Sequence, residues 1–238
     1  MNLGVDIRLC FGYYKKGGEN KGFVICPEGF GHIQEDKVLR KKSHISLAQY
    51  IVKDMEVPVM MNHRKAFYLG SILPDCKPSF LTQRHEFDGT FRMLEERICS
   101  LSQDAVLIEN NERAYMRRLG EVIHYIADYF TYPHNSFYEG NLKDHCVYEK
   151  ELKFRLREYV RSGEAFRTRI DVKKFETPEA VCAFIRKAHE EYQKIKHGVE
   201  EDCEFIVRTC HQVVQAIIYL ISLAVGKEMT TGPLGAAV

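Results

Sequence analysis

The sequence lacks the patterns that indicate a cysteine-based metal site or an exported protein. It contains eight cysteines, but none of them forms a Cys-x-x-Cys pair, so the spacing of a zinc finger is excluded. The first residues contain no apolar run followed by a cleavage site, and we therefore expect no signal peptide. The cysteines of a protein that is not exported stay reduced, so we expect a cytoplasmic protein with free thiols.

The sequence also lacks a large excess of charge of one sign, and it lacks long apolar runs. The formal net charge is only +1, which gives no indication of a nucleic-acid-binding protein or of an acidic partner. The longest apolar stretch, residues 213–225, is interrupted by Gln215 and Ser222 and is too short to span a membrane. It therefore predicts a core helix, and apolar residues make up 45% of the chain, enough for a substantial core.

Alternation of apolar and polar residues, the pattern of strands, is nearly absent after residue 43, so the sequence predicts an all-α fold. Residues 1–43 are rich in glycine and lysine and predict an N-terminal extension, partly disordered or in irregular turns. Residues 44–228 predict one helical domain, and residues 229–238 a flexible tail. Ser43 is the expected N-cap of the first helix. Helical periodicity predicts about seven helices, at residues 43–54, 63–71, 90–103, 109–131, 142–161, 178–197 and 200–227.

Candidate metal ligands are concentrated in residues 119–149. His124 and Asp128 are four residues apart, and His145 and Glu149 have the same spacing. Residues four apart lie on one face of a helix, so each pair can present two ligand atoms in the same direction. Two helices that each carry such a pair can converge on one metal centre.

His134 lies between these two pairs, directly after Pro133. Proline cannot continue a helix, so we expect the chain to turn there and His134 to point at whatever the two helices face. Three imidazoles and two carboxylates that converge from two helices and their connection match the ligands that Zn²⁺ prefers. The sequence therefore predicts a zinc centre.

Helix periodicity places His145 and Glu149 on the inner face of their helix. They fill the gap in an apolar stripe formed by Leu142, Leu152, Leu156 and Tyr159. A buried glutamate is rare unless it is paired or binds a metal. For His124 and Asp128 alone, a hydrogen-bonded pair in the core is the more ordinary explanation. Two such pairs together with His134 favour a metal centre.

Three further candidates lie nearer the N-terminus. His44 shares a helix face with Leu47, Ala48 and Ile51, where a lone histidine is usually structural. Asp75 follows Pro74, and turns and helix caps are common roles for aspartate. His85 lies in the next connection. Taken singly, these residues do not establish a site.

The order of all these residues resembles the bacterial zinc-dependent phospholipase C family, over residues 44–225. The matching pattern reads His44 … Pro74-Asp75 … His85 … His124-x3-Asp128-x5-His134 … His145-x3-Glu149. That family shares its α-helical fold with the single-strand-specific zinc nucleases. The resemblance therefore implies a multi-helix bundle of this type. It also implies a zinc-dependent hydrolase that acts on a small-molecule or lipid phosphoester.

The resemblance also implies how the ligands are divided among metals. One zinc would be bound by Asp75, His85, His124 and Asp128. A second would be bound by His134, His145 and Glu149. His44 and a bridging Asp128 would help to hold a third, which the family completes with an N-terminal tryptophan. The sequence has no tryptophan, and 43 residues precede His44, so we expect two zinc ions and a third that is weaker or absent. Asp75 resembles the carboxylate proposed as the family's general base.

Two other interpretations stay open. Glu121-x-x-His124 matches the Glu-x-x-His unit of di-iron carboxylate helical proteins. That fold needs two such units and two further glutamates, whereas the next helix carries its histidine before its glutamate. The other alternative is a helical module that a metal stabilises without catalysis. Bound iron would favour the first alternative, and the absence of phosphoester hydrolysis would favour the second.

Overall fold

Nearly all secondary structure in the computed structural model is α-helical, which confirms the all-α class predicted from the sequence. The structure describes residues 13–16, 19–22, 31–76, 86–167 and 174–226, with side chains from residue 43 onward. The ten α-helices of these residues are α1 (Gly31–Met55), α2 (Pro58–Asn62), α3 (Arg64–Gly70), α4 (Phe87–Gln103), α5 (Ala105–Asn110), α6 (Glu112–Tyr129), α7 (Leu142–Arg161), α8 (Glu164–Arg167), α9 (Pro178–Tyr192) and α10 (Val199–Ala224).

The N-terminal segment contains more regular structure than the sequence predicts. β1 (Tyr13–Lys16) and β2 (Glu19–Gly22) form an antiparallel hairpin. Helix α1 begins at Gly31, so the expected N-cap at Ser43 is wrong and Ser43 lies inside the helix. Residues 32–42 contain no glycine or proline and several good helix formers, which lets the helix extend through them.

Helix α7 begins and ends at the predicted residues, and its start is fixed by a capping box. The Asn141 side chain accepts hydrogen bonds from the backbone N–H groups of Lys143 and Asp144. The Asp144 carboxylate accepts one from the Asn141 N–H in return. Reciprocal capping of this kind satisfies N–H groups that have no partner within the first turn. It also fixes the orientation of His145 and Glu149 in the first two turns.

Other helix ends differ from the prediction. The predicted helix 109–131 is two helices, α5 and α6, separated at Asn111, whose side chain accepts the Ala114 N–H at 2.9 Å. Asparagine is a favoured helix cap, a signal that apolar periodicity alone does not carry. Helix α9 ends at Tyr192 rather than at residue 197, and the short helix α2, which begins at Pro58, was not predicted.

Helix α10 lies in the core and packs against α4, α6, α7 and α9. By length and composition alone it could cross a membrane, but 83% of its most apolar window is buried within the fold. This is the environment of a core helix, as predicted for residues 213–225.

Helices α3 and α6 approach each other through two glycines. A Cβ atom added at Gly120 would lie 2.2 Å from the Phe67 carbonyl oxygen and 2.9 Å from the Ser71 backbone nitrogen, and Gly70 is equally crowded. Because these neighbours are backbone atoms, they cannot swing aside as a flexible side chain can. The contact brings the end of α3 beside the buried face of α6 that carries His124.

Gly120→Ala is therefore expected to destabilise the fold, because the new methyl group would push α3 away from α6. Overpacking of this kind costs roughly 1–3 kcal/mol, so the thermal midpoint should fall by several degrees. Gly89→Ala is the matched control, since nothing lies within 4 Å of a Cβ added there and alanine favours a helix. Thermal unfolding followed by circular dichroism compares the variants. An unchanged midpoint in Gly120→Ala would contradict the close contact.

Candidate metal centre

Three side chains from α7 and the turn before it converge on one point. His134 ends a 3-10 turn, Tyr132–His134, and His145 and Glu149 lie one helical turn apart on α7. Glu149 Oε1 lies 3.0 Å from His134 Nε2 and 2.8 Å from His145 Nε2. Ligand atoms of all three residues lie within 4.8 Å of one another. Two imidazoles and a carboxylate at such distances can form a zinc site.

A second cluster joins residues that are distant in the sequence. His44 comes from α1, Asp75 from a 3-10 turn at Pro74–Cys76, and His124 from α6. All three are buried, and their ligand atoms also lie within 4.8 Å of one another. His124 Nε2 is 3.6 Å from Asp75 Oδ1, and the rings of His44 and His124 are 4.3 Å apart. The family resemblance implies a separate third metal at His44, whereas the structure brings His44 into one cluster with Asp75 and His124.

Asp128 connects the two clusters. Its Oδ1 lies 3.3 Å from His44 Nε2, and its Oδ2 lies 3.4 Å from His124 Nε2 and 3.5 Å from His134 Nδ1. The residue is only 3% exposed. A carboxylate that contacts imidazoles of both clusters can be shared by two metal ions. The resemblance also implies a bridging Asp128, but between the first zinc and a third metal at His44.

The pKa values of this centre shift in the direction that keeps opposite charges paired. Burial disfavours the charged form of Asp128, but the positive charge of His124 and His134 outweighs it and holds the pKa of Asp128 well below its usual value. Burial also lowers the pKa of His44, yet the hydrogen bond and charge of Asp128 raise that pKa above its usual 6.5. A metal binds only the neutral imidazole, so metal binding here is expected to release protons.

His124 is oriented by a backbone carbonyl that the sequence motif does not include. Its Nδ1 donates to the Ser71 carbonyl oxygen at 2.9 Å, which leaves Nε2 as the nitrogen that faces Asp75 and Asp128. Histidines that bind metals commonly donate their other ring N–H in this way. In the sequence, Gly120 is the feature that indicates this arrangement, because a glycine at this position allows the close contact of α3 with α6.

The charges of the centre require a positive partner. Asp75, Asp128 and Glu149 are buried carboxylates, and three carboxylates in one buried centre need compensating positive charge, from protonated imidazoles or from bound metal ions. Asp75 Oδ2 is buried without a hydrogen-bond partner among the described residues. Buried carboxylates are usually paired with cations or bound to metals. The residues present therefore fit divalent metal ions, and Zn²⁺ in particular because of the histidines.

A small cavity of about 30 Å³ adjoins the centre. Its lining includes the ligand residues His44, Asp128, His134 and Glu149. Its lining also includes the apolar residues Leu47, Leu152, Leu156 and Ile206. The volume exceeds the ~10–15 Å³ that one water molecule needs. Residues of both clusters thus border a single space.

Seven of the eight predicted site residues lie in the two clusters or between them. The eighth, His85, lies outside the residues that the structure describes. Glu121, which completes the Glu-x-x-His pattern of the di-iron alternative, pairs with Arg97 at 3.1 Å and belongs to neither cluster. This argues against a di-iron site, which needs a glutamate ligand from that position.

Two histidines that the sequence leaves out of the site pack around the turn that carries His134. His189 is buried, stacks on Phe87 with ring centroids 4.0 Å apart, and donates from Nε2 to Asn135 Oδ1 at 3.0 Å. Burial lowers the pKa of His189 to about 4, so this ring is neutral at pH 7. His197 stacks on Tyr132 with centroids 4.8 Å apart. Neither histidine belongs to the two ligand clusters.

A family model described as zinc-dependent phospholipase C matches residues 43–199. These residues make up more than half of the chain and include every predicted ligand, from His44 to Glu149. The chain belongs to the zinc-dependent phospholipase C family, as its motif predicts. Membership implies Zn²⁺ as the metal and supports a phospholipase C-like function. No curated protein and no solved structure gives a significant match.

His145→Ala is expected to lower zinc affinity at the cluster of His134, His145 and Glu149 by more than ~10-fold, because even residues that only support a ligand contribute ~10–100-fold. The thermal midpoint should also fall, since Glu149 would stay buried beside one histidine fewer. Zinc content after dialysis, measured by atomic emission, and thermal unfolding test the two effects.

His63→Ala is the control for this variant. His63 makes a comparable contact, 2.9 Å to Glu112, at an exposed position outside both clusters. Its loss should leave zinc content close to that of the wild type. Equal zinc content in His145→Ala and the wild type would contradict the role of His145 as a ligand.

Proposed function

We propose that the protein is a zinc-dependent hydrolase of phosphoesters that acts as a phospholipase C-like phosphodiesterase. This proposal rests on one observation: Asp128 connects the two ligand clusters, and residues of both clusters line one cavity. Paired metal sites of this kind suit in-line displacement at phosphorus. Family membership supports the same class of activity.

The residues that would hold zinc follow from the two clusters. His134, His145 and Glu149 would hold one ion, and Asp75, His124 and Asp128 would hold another, with His44 beside them. When bound, zinc would lower the pKa of a water ligand to ~7 and would supply positive charge against the phosphoryl oxygens. A third ion would need a ligand besides His44 and Asp128, because stable zinc sites usually have at least three protein ligands.

Asp75 is proposed as the general base of the reaction. Its Oδ1 faces His124, while its Oδ2 is buried without a hydrogen-bond partner among the described residues. A carboxylate oxygen without a partner can accept a proton from the attacking water. The 3-10 turn at Pro74–Cys76 holds this carboxylate at the cluster. Asp75 is thus both a residue of the turn and the proposed base.

The proposed substrate class is a small-molecule or lipid phosphoester. The cavity is lined both by polar ligand residues and by leucine and isoleucine side chains, which suits a phosphate group joined to an apolar part. The net charge of +1 offers little attraction to a polyanion such as nucleic acid. Both observations favour a small ester over a nucleic-acid strand.

Asp75→Asn is expected to lower kcat by ~10²–10⁴-fold at saturating zinc, the usual contribution of a general base. The fold should persist, because the amide has nearly the shape of the carboxylate but cannot take up the proton. The assay is hydrolysis of chromogenic phosphodiesters and phosphomonoesters, with zinc content measured on the same samples. Wild-type rates in Asp75→Asn would show that Asp75 is only a turn residue.

Asp104→Asn is the matched control for this assay. Asp104 caps α5 by accepting the Leu107 N–H, and asparagine caps a helix equally well, so hydrolysis should be unchanged. A wild-type protein that contains zinc but hydrolyses none of the esters would favour the non-catalytic metal-stabilised module. Bound iron would favour the di-iron alternative.

A further inference from the structure

The turn that carries His134 is held by a carboxylate on α10. Asp202 lies near the start of α10, is fully buried, and accepts the Tyr132 N–H on its Oδ2 at 2.9 Å. Tyr132 opens the three-residue 3-10 turn Tyr132–His134. The first N–H groups of a helical turn have no acceptor within it, and the next residue, Pro133, has no N–H at all. Asp202 therefore supplies the acceptor that the turn lacks.

Two tyrosine hydroxyls fix the same carboxylate. Tyr148, the residue before Glu149 on α7, donates to Oδ2 at 2.8 Å, and Tyr192, at the end of α9, donates to Oδ1 at 2.6 Å. Asp202 thus connects the turn with α7, α9 and α10. With three donors bound to it, the carboxylate has little freedom to move, and it restricts the Tyr132 backbone in the same way.

His134 depends on the position of this turn because both of its ring nitrogens are engaged. Nε2 lies 3.0 Å from Glu149 Oε1, and Nδ1 lies 3.5 Å from Asp128 Oδ2. A displacement of the turn would lengthen one contact or the other. The His134 N–H already bonds to the Thr131 carbonyl oxygen at 2.9 Å, so the Tyr132 N–H is the donor with which the turn is attached to α10.

We propose that Asp202 is a positioning residue that holds His134 in place for zinc binding, a proposal that rests on the zinc-dependent function proposed above. Glu200 and Glu201 also place negative charge in the first turn of α10, so the helix dipole does not require Asp202. Three hydrogen bonds converge on Asp202, and the one from the Tyr132 N–H reaches the turn that carries His134, so the contacts of Asp202 point to a role in holding that turn.

The test is the zinc affinity of folded variants, measured by competition with a chromophoric chelator well below the unfolding temperature. Asp202→Ala should weaken the binding of one zinc ion by ~10–100-fold, as the loss of supporting residues usually does. Asp202→Asn should retain an affinity close to that of the wild type. Its amide oxygen can accept the N–H of Tyr132 and the hydroxyl of Tyr148, while its amide N–H can donate to the Tyr192 hydroxyl oxygen.

Tyr192→Phe is the matched control. It removes one donor to the same carboxylate but keeps the bond to Tyr132, so it should lower zinc affinity by less than Asp202→Ala does. Asp202→Glu replaces Asp202→Ala as the test variant if the alanine variant does not fold. It keeps the charge but displaces the acceptor oxygens by one methylene, so it should also weaken zinc binding.

Wild-type zinc affinity in Asp202→Ala, or in Asp202→Glu if the alanine variant does not fold, would overturn the positioning role and leave the zinc-dependent function standing. Equal losses of zinc affinity in Asp202→Ala and Tyr192→Phe would also overturn it, because zinc affinity would then depend on the packing around Asp202 and not on its bond to Tyr132. A wild-type protein that binds no zinc would overturn both the positioning role and the function on which it rests.

Discussion

Asp128 contacts imidazoles from three segments of the chain, His44 on α1, His124 on α6 and His134 in the turn that follows α6. A buried carboxylate is costly unless positive charge or hydrogen bonds compensate it. Protons on these imidazoles or a bound metal ion can supply that charge, and the depressed pKa of Asp128 shows that the ionised form is the one favoured here. The surrounding helices therefore have to place these three imidazoles around Asp128.

The helices meet this constraint through backbone features around the ligands. The crowded glycines Gly70 and Gly120 allow α3 to touch α6, which brings the Ser71 carbonyl to His124. The capping box at Asn141 fixes the start of α7 and thereby the direction of its two ligands. Ligand geometry in this protein is thus set by contacts of the main chain, which are stiffer than contacts between surface side chains.

The part of the site that the sequence predicts well is local. His145 and Glu149 lie one turn apart on a helix that apolar periodicity predicts, so their convergence needs only the helix itself. Nothing in the spacing of His44 and Asp75 shows that they meet His124, because tertiary packing brings them together, and only the family resemblance related them. The start of α1 was missed because a polar helix without an apolar stripe gives no periodic signal. The Ser71 carbonyl was missed because sequence patterns record side chains and not backbone acceptors.

Diffraction at the zinc absorption edge from crystals grown with zinc tests the central claim most directly, since the anomalous signal at that edge locates the zinc ions themselves. We expect two peaks, both adjacent to Asp128. One should lie among His134, His145 and Glu149, and the other among Asp75, His124 and Asp128. The absence of a peak at either cluster, or zinc bound only by residues outside them, would contradict a two-metal centre organised around Asp128.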